Sequence, residues 1–435
     1  MNFDKDSVGD AIHDLAKRLW PINRSITGDG VRETLGVINE HLPTLSRVEV
    51  PSGTPAFDWT VPKEWRVREA WIITPEGRKI CNFSENNLHL VGYSTPVHKR
   101  VSLDELNEHL FSLPDQPDAI PYITSYYKER WGFCISEHDR AQLVQGDYEV
   151  LVDSELFQGS LTYGELIIKG RLDREVLIST YVCHPSMANN ELSGPCVTTF
   201  LAKWLLSLDD LKNSYRIVFI PETIGSIVYL SRNFEHLKQH VYAGFNVTCV
   251  GDDREYSFLP SRRGNTESDI VARHVLSGID SNYKRYQWKD RGSDERQYCA
   301  PLVDLPIASI MRSKYAQYPE YHTSLDDLES VVTPAGLAGA FNALRLALEA
   351  LERNCFPVVT VLGEPQLGRR GLYPTLSTKS TRSQVQLMMD LITWSDGEKS
   401  LLEIAELCGA RIWELYSLLD SLVSHDLIRL NDVPA

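Results

Sequence analysis

The chain has 435 residues, too many for one ordinary domain, and its 43% hydrophobic and 24% charged residues are typical of a globular protein. A formal net charge of −15 argues against binding to nucleic acid or to an anionic membrane, because both need clustered Lys and Arg. No stretch approaches the roughly 20 apolar residues that cross a bilayer, and the acid-containing N-terminus is unlike a signal peptide. Eight scattered cysteines without a CxxC pair favour reduced thiols, so we expect a cytoplasmic protein.

An α/β domain is predicted for residues 1–57 together with residues 166–365. Apolar residues near helical spacing between 8 and 45 predict two helices in its first part. In its second part, helices alternate with apolar strands at 175–180, 215–220, 243–247 and 306–310, before a last helix at 335–353. This alternation predicts a mostly parallel sheet sandwiched by helices, whose ligands bind beyond the carboxyl ends of the strands.

Two further domains are predicted. Between residues 58 and 165, short strand-like runs are broken by Pro, Gly and Asn, which predicts an inserted β-rich domain. After a polar joint at 374–379, residues 375–435 show three short helical patterns and a final strand, as in a winged helix. Acids slightly outnumber bases there, so we expect this domain to contact a protein partner or a second copy of the chain rather than DNA.

Four polar segments follow the predicted strands or lie close to them. His184 leaves the first strand, ahead of an Asn/Glu cluster that ends in Ser193-Gly194, and Glu222 follows the second strand. Residues 292–298, which include Asp294 and Tyr298, precede the fourth strand, and His322 lies in Tyr321-His322-Thr323. Each segment alone has a structural explanation, because strand-end histidines and glutamates are commonly hydrogen-bonded or ion-paired residues.

In this order the four segments resemble the zinc-dependent exopeptidases of the aminopeptidase and glutaminyl-cyclase superfamily. The resemblance covers roughly residues 165–350, and Tyr321-His322-Thr323 is its most specific element. The whole chain is also similar to bacterial aminopeptidase-like proteins with an inserted β domain and a C-terminal winged helix, whose genes often occur with polysaccharide-biosynthesis genes. The resemblance implies His184 and His322 as zinc ligands and Glu222 as general base. It implies Tyr298, or a nearby backbone N–H, as the group that stabilises the oxyanion.

The metal ligands are where the chain departs from that superfamily. Three of the five usual ligand positions carry the neutral residues Asn189, Thr223 and Thr248. An amide cannot offset the repulsion between two zinc ions, so we expect one ion, held by His184 and His322. Further ligands are expected among Glu222, Asn189, Asp252, Asp294 and Glu191. One extra residue before Gly225 would make Glu222 a ligand instead of the base, and the sequence leaves both roles open.

Two arginines are candidates for binding substrate, as is Asp294. Arg24 lies in a segment that also resembles the bacterial aminopeptidase-like proteins, where it would clamp an anion, although a capped turn between two helices explains the same residues. Arg263 follows Arg262 after a predicted strand and would meet a carboxylate, although a solvated loop remains the default explanation of this pair.

Two functions follow from these expectations. The first is a mono-zinc, aminopeptidase-type hydrolase of a small peptide-like or aminoacylated substrate, linked to polysaccharide biosynthesis. The alternative is a catalytically degenerate exopeptidase fold that binds a ligand or a partner protein. The lost carboxylates motivate the alternative, and the acidic winged helix disfavours a third reading as a transcriptional regulator.

Overall fold

The computed structural model describes residues 5–126, 128–372 and 379–433. Most of the polar joint at 374–379 and the first residues of the predicted winged-helix domain therefore lie outside the described residues. The chain forms two compact units, one of residues 1–269 and 283–344 and the other of residues 270–282 and 345–435. Among the described residues, no helix combines the length and the apolar character that crossing a membrane requires.

The helices and strands are numbered here in chain order. The helices are α1 (Lys5–Leu19), α2 (Asp29–His41), α3 (Leu103–Glu108), α4 (Glu137–Arg140), α5 (Ser193–Leu206), α6 (Ile224–His240), α7 (Glu267–Ile279), α8 (Glu295–Tyr298), α9 (Pro334–Arg353), α10 (Lys379–Trp394), α11 (Leu401–Leu407) and α12 (Ile412–Ser424). The strands are β1 (Ser46–Pro51), β2 (Pro55–Ala56), β3 (Trp59–Thr60), β4 (Glu64–Ile73), β5 (Lys79–Ile80), β6 (Val97–Ser102), β7 (Leu110–Phe111), β8 (Phe133–Cys134), β9 (Asp147–Phe157), β10 (Ser160–Ile168), β11 (Glu175–Tyr181), β12 (Ser214–Ile220), β13 (Val241–Asn246), β14 (Ser257–Leu259), β15 (Lys284–Arg285), β16 (Ile307–Met311), β17 (Phe356–Val359) and β18 (Ile428–Asn431).

The larger unit is built on an eight-stranded sheet in the order β1-β10-β12-β11-β13-β16-β14-β15. Its four central strands, β12, β11, β13 and β16, run parallel, with Thr180 opposite Phe219 and Ile178 opposite Phe245. Every residue of β11 and β12 is buried, as expected of strands covered on both faces. The predicted α/β fold with a mostly parallel sheet is confirmed.

A smaller antiparallel sheet in the same unit has the order β5-β4-β9-β6. Alternate residues of β9 are buried from Tyr148 to Ser154, so one face of this sheet covers a core. These strands lie within residues 58–165, the predicted inserted β-rich domain. β10, however, pairs with β1 and β12 in the larger sheet, although residues 160–165 fall inside the predicted insertion.

The smaller unit contains α10, α11 and α12 and the antiparallel pair β17 and β18. A capping box begins α11, in which the Ser400 hydroxyl accepts from the Glu403 N–H and the Glu403 carboxylate accepts from the Ser400 N–H. Three helices and a two-stranded sheet are the elements of a winged helix. The strand β17 lies before residue 375, where the sequence predicts that this domain starts.

Gly194, in the first turn of α5, lets this helix approach the strands that carry the site. A Cβ at this position would lie 2.5 Å from the Thr180 Oγ1 and 2.5 Å from the Val247 carbonyl oxygen. Because a backbone oxygen cannot move aside cheaply, we expect Gly194→Ala to destabilise the protein by about 1–3 kcal/mol. Urea unfolding measures this change. Gly36→Ala in α2, which meets nothing within 4 Å, is the matched control and should be neutral or stabilising. Equal stability of the two variants would contradict the close approach.

Candidate active site

A cavity of about 440 Å³ lies where the central strands end. His184 comes three residues after β11, and Glu222 comes two residues after β12. His322 lies in the long connection after β16. The lining residues are Ile26, Trp59, Tyr122, Thr124, Tyr126, Cys183, His184, Glu222, Thr223, Ile224, Arg296, Gln297 and His322. The sheet thus brings together the two imidazoles and the carboxylate that the sequence singles out.

His184 is oriented by a buried ion pair. Its Nδ1 lies 3.0 Å from Glu191 Oε2, and Glu191 Oε1 lies 3.3 Å from Arg24 Nε. The side chains of Arg24 and Glu191 are fully buried, and Arg24 Nε also donates to the His184 carbonyl oxygen at 3.0 Å. Burial lowers the pKa of His184, but the hydrogen bond and the charge of Glu191 outweigh it and raise this pKa. Arg24 therefore supports the His184 segment and does not line the cavity, where the predicted substrate clamp would stand.

The turn that carries Glu222 is hydrogen-bonded to Asp294. Asp294 Oδ1 accepts from the Thr223 N–H at 2.7 Å and from the Ser226 hydroxyl at 2.8 Å, while Thr223 itself has a φ of 62°. A positive φ is rare for a β-branched residue and is typical of strained functional turns. Glu222 Oε2 lies 3.5 Å from His184 Nε2, and burial raises the pKa of Glu222. Burial and the charge of Glu222 raise the pKa of Asp294 to about 8.

His322 is held by Pro121 and Tyr122, which lie within the predicted insertion. The Tyr122 N–H donates to the His322 carbonyl oxygen at 2.9 Å, and Pro121 forms a β-bridge with Thr323. The Tyr122 ring centroid lies 5.1 Å from those of both His184 and His322. His322 Nε2 lies 3.2 Å from Asn190 Oδ1, and burial together with the charge of His184 lowers the pKa of His322 to about 3. The insertion therefore completes the wall around both imidazoles.

Two predicted metal ligands are engaged elsewhere. Asn189 Oδ1 accepts from the Gly251 N–H at 2.8 Å, and its Nδ2 donates to Asp252 Oδ2 at 3.0 Å. The carboxylate of Asp252 also accepts from the N–H and the hydroxyl of Ser313, at 2.8 and 2.9 Å. Both side chains are buried and lie outside the cavity lining. Asn190 rather than Asn189 contacts His322. Both asparagines lie in the π-helical turn Ala188–Leu192, in which the side chains are spaced differently from those of an α-helix.

Three more predicted site residues do not line the cavity. The Tyr298 hydroxyl is fully buried and lies 2.8 Å from the Ser179 hydroxyl, so the geometry gives no support to an oxyanion role. Arg263 is exposed and donates to the Asp304 carbonyl oxygen at 2.9 Å. Asp294 is buried beneath the Glu222 turn and has no route to substrate. The roles predicted for these residues stay predictions without geometric support.

Sequence reasoning missed three residues that shape the site. Arg296 and Tyr122 line the cavity, and Asn190 touches His322. Arg296 stands two residues after Asp294, within residues 292–298, so its position is a usable signal. Nothing local in the sequence marks Tyr122, which reaches the cavity from the predicted insertion, as Trp59 does.

His184 and His322 are the two imidazoles that could hold one zinc ion. The ring centroids of His184 and His322 are 5.6 Å apart. Two imidazoles on one tetrahedral zinc, with Zn–N bonds of about 2 Å, have centroids about 5 Å apart. Within the described residues, Cys183, His184 and Glu191 form a group of potential donors within 4.8 Å of one another, but Glu191 already holds His184 Nδ1. His322 is not in that group, so it must turn slightly to share an ion with His184. Thr223 and Thr248, where the resemblance implies acidic ligands, are neutral.

The larger unit has the architecture of a zinc aminopeptidase. A zinc aminopeptidase from Bacillus subtilis superposes with a TM-score of 0.59 at 13% identity, covering 81% of this chain and 96% of that one. The chain belongs to the family described as domain of unknown function DUF4910, whose model matches residues 13–354. A winged helix-turn-helix model matches residues 355–430, which confirms the predicted C-terminal winged helix.

Two relatives from Clostridium acetobutylicum match nearly the whole chain. One is a candidate polysaccharide biosynthesis protein with an aminopeptidase-like domain, 43% identical over 429 residues, with 98% of each chain covered. The other is the crystal structure of a candidate peptidase, with a TM-score of 0.92 at 42% identity, covering 98% of this chain and 97% of that one. The predicted resemblance to aminopeptidase-like proteins is confirmed.

Proposed function

We propose that this protein hydrolyses small amides with one zinc ion bound by His184 and His322. The observation that carries the proposal is that two imidazoles and the Glu222 carboxylate face one cavity, with Glu222 Oε2 3.5 Å from His184 Nε2. A bound zinc ion would polarise the substrate carbonyl and acidify a water molecule. Glu191 supports this role of His184, because a carboxylate on Nδ1 leaves Nε2 free to bind metal.

Glu222 is the general base in this proposal. It takes a proton from the attacking water, whose oxygen bonds to the carbonyl carbon. It then delivers this proton to the amide nitrogen as the C–N bond breaks, so that one water yields one carboxylic acid and one amine. Glu222 is the one acidic residue among the described residues that line the cavity, which favours this role over Asp294.

The substrate is small and the setting is cytoplasmic in this proposal. A cavity of about 440 Å³ suits a ligand of metabolite size, and Tyr122 of the insertion narrows it. A peptide-like or aminoacylated intermediate of polysaccharide synthesis fits the name of the Clostridium acetobutylicum relative. Within the described residues, none of the eight cysteines forms a disulfide bond, which supports a reducing compartment. The winged helix would contact a protein partner or a second copy of the chain.

Alanine at His184 or at His322 tests the metal site. We expect each variant to lose its zinc and its hydrolysis of an aminoacyl-amide panel, because one imidazole cannot hold the ion in this site. Elemental analysis of the purified protein measures the zinc, and amine release measures the reaction. His425→Ala, at an exposed histidine bonded to the Ser421 carbonyl, is the control and should match the wild type. Unchanged zinc in both site variants would rule out these ligands.

A second candidate function, ligand binding without catalysis, is favoured by one observation. Three positions that carry ligand carboxylates in the superfamily are neutral here, and Thr223, at one of them, bonds to Arg296 at 2.7 Å. A protein that stays free of zinc after reconstitution, and binds small amides without cleaving them, would have this function instead.

A further inference from the structure

The cavity contains a cation, Arg296, whose hydrogen-bond donors have no role in the proposed hydrolysis. Arg296 lies on α8, is exposed, and lines the cavity beside Glu222 and Thr223. Its Nη2 donates to the Thr223 hydroxyl at 2.7 Å. From its geometry we infer that Arg296 binds a carboxylate on the substrate, so that the site takes N-acylated amino acids. The inference rests on the proposed function for the reaction but not for the binding preference.

The guanidinium of Arg296 has a neutral hydrogen-bond partner, whereas the exposed arginines Arg254 and Arg262 each pair with an acid. Arg254 lies 2.8 Å from Glu320, and Arg262 lies 2.7 Å from Asp304. No carboxylate of the described residues comes within the 4.0 Å that defines an ion pair with Arg296. A planar guanidinium can bind a carboxylate through two parallel hydrogen bonds. Arg296 therefore keeps donors available for an anion in the cavity.

The same cavity is poorly suited to a free α-amine. A carboxylate is the strongest partner for an ammonium group, and Glu222 is the one acidic residue among the described lining residues. Glu222 is already committed as the proposed base. The chain carries a net charge of −15, which repels anions at long range, so a local cation is needed to attract one. The positive charge of Arg296 thus favours a substrate with a carboxylate over a substrate with a free α-amine.

On this inference, the substrate carboxylate lies on the leaving-amine side of the amide. Arg296 bonds to Thr223, the residue next to Glu222. Glu222 delivers the proton to the leaving nitrogen, so the group at Arg296 lies on the leaving-amine side. Apolar and aromatic residues line other parts of the cavity, including Ile26 and Trp59. These side chains suit an uncharged acyl group. A carboxylate on the leaving amine and an uncharged acyl group together describe an N-acyl amino acid.

Hippurate and its amide, hippuramide, differ in that the first ends in a carboxylate and the second in an uncharged carboxamide. Comparing their affinities isolates the contribution of the carboxylate. Isothermal titration of the zinc-loaded full-length protein should give at least about tenfold tighter binding of hippurate, the effect of a charged hydrogen-bonded pair. Arg296→Gln should make the two affinities equal, and Arg296→Lys should retain part of the preference. Arg291→Gln is the matched control, because Arg291 is an exposed arginine that stacks on Trp288 outside the cavity lining, and it should behave as the wild type.

Several outcomes would overturn the inference. These are equal binding of hippurate and hippuramide in the wild type, no binding of hippurate, or a preference that survives in Arg296→Gln. Tighter binding of inorganic phosphate than of hippurate would assign the site to phosphate instead. If Arg296→Gln fails to fold, the preference of the wild type for hippurate over hippuramide and the affinities of Arg296→Lys still test the inference. Chromatography of the same samples detects benzoate and glycine. A preference for hippurate without these products retains the carboxylate site and rejects the hydrolase.

Discussion

Glu222→Gln is expected to slow amide hydrolysis by about 10²–10⁴-fold while the protein keeps its fold and its zinc. Glutamine matches the shape of glutamate but cannot take a proton from water. Asp294 is not expected to replace it, because Asp294 is fully buried and lies outside the cavity lining. The measurement is kcat/KM on the best substrate of an N-acyl and aminoacyl-amide panel, with zinc determined on the same preparation.

The zinc content of this variant separates the two roles that the sequence leaves open for Glu222. Retained zinc with a slow reaction identifies a base, whereas loss of zinc identifies a ligand. Glu33→Gln, at an exposed position of α2, is the control and should retain both rate and metal. A normal rate in Glu222→Gln would contradict both roles at once.

Local sequence patterns predict the sheet closely. The strands predicted at 175–180 and 215–220 are Glu175–Tyr181 and Ser214–Ile220, and the helix predicted at 335–353 is Pro334–Arg353. These elements are buried apolar runs or long amphipathic helices, whose period is set by burial. Since parallel strands end at the same edge, their order along the chain is enough to bring His184 close to Glu222.

The rest of the site depends on contacts that no local pattern encodes. Tyr122 meets His322 across 200 residues, through backbone pairing between the insertion and the loop after β16. In the π-helical turn, Asn190 rather than Asn189 contacts His322. An alignment on Ser193-Gly194 cannot reveal which of the two asparagines does so. In the smaller unit, β17 pairs with β18 although 69 residues separate Val359 from its partner Ile428. Such pairings depend on the folded chain rather than on residue spacing.

Arg24→Met is expected to destabilise the larger unit by about 3–5 kcal/mol, the usual effect of removing one partner of a buried ion pair. Its guanidinium and the carboxylate of Glu191 are fully buried, 3.3 Å apart, and the Glu191 charge would be left without its arginine. Glu191→Gln should destabilise by a similar amount, because it leaves the guanidinium as an unpaired buried charge. The double variant removes both charges, so its loss should be clearly smaller than the sum of the two single losses.

Urea unfolding of the wild type, the two single variants and the double variant measures the coupling energy between Arg24 and Glu191 directly. Purely additive losses of stability would contradict this coupling. Arg18→Met, which breaks the exposed pair with Glu40, is the control and should change stability little. Zinc affinity adds a second measurement. Glu191→Gln removes the carboxylate on His184 Nδ1 and should weaken zinc binding by about 10–100-fold. The double variant should recover stability without recovering zinc affinity, because glutamine does not replace this carboxylate. A double variant that binds zinc normally would show that the buried pair supports the fold alone.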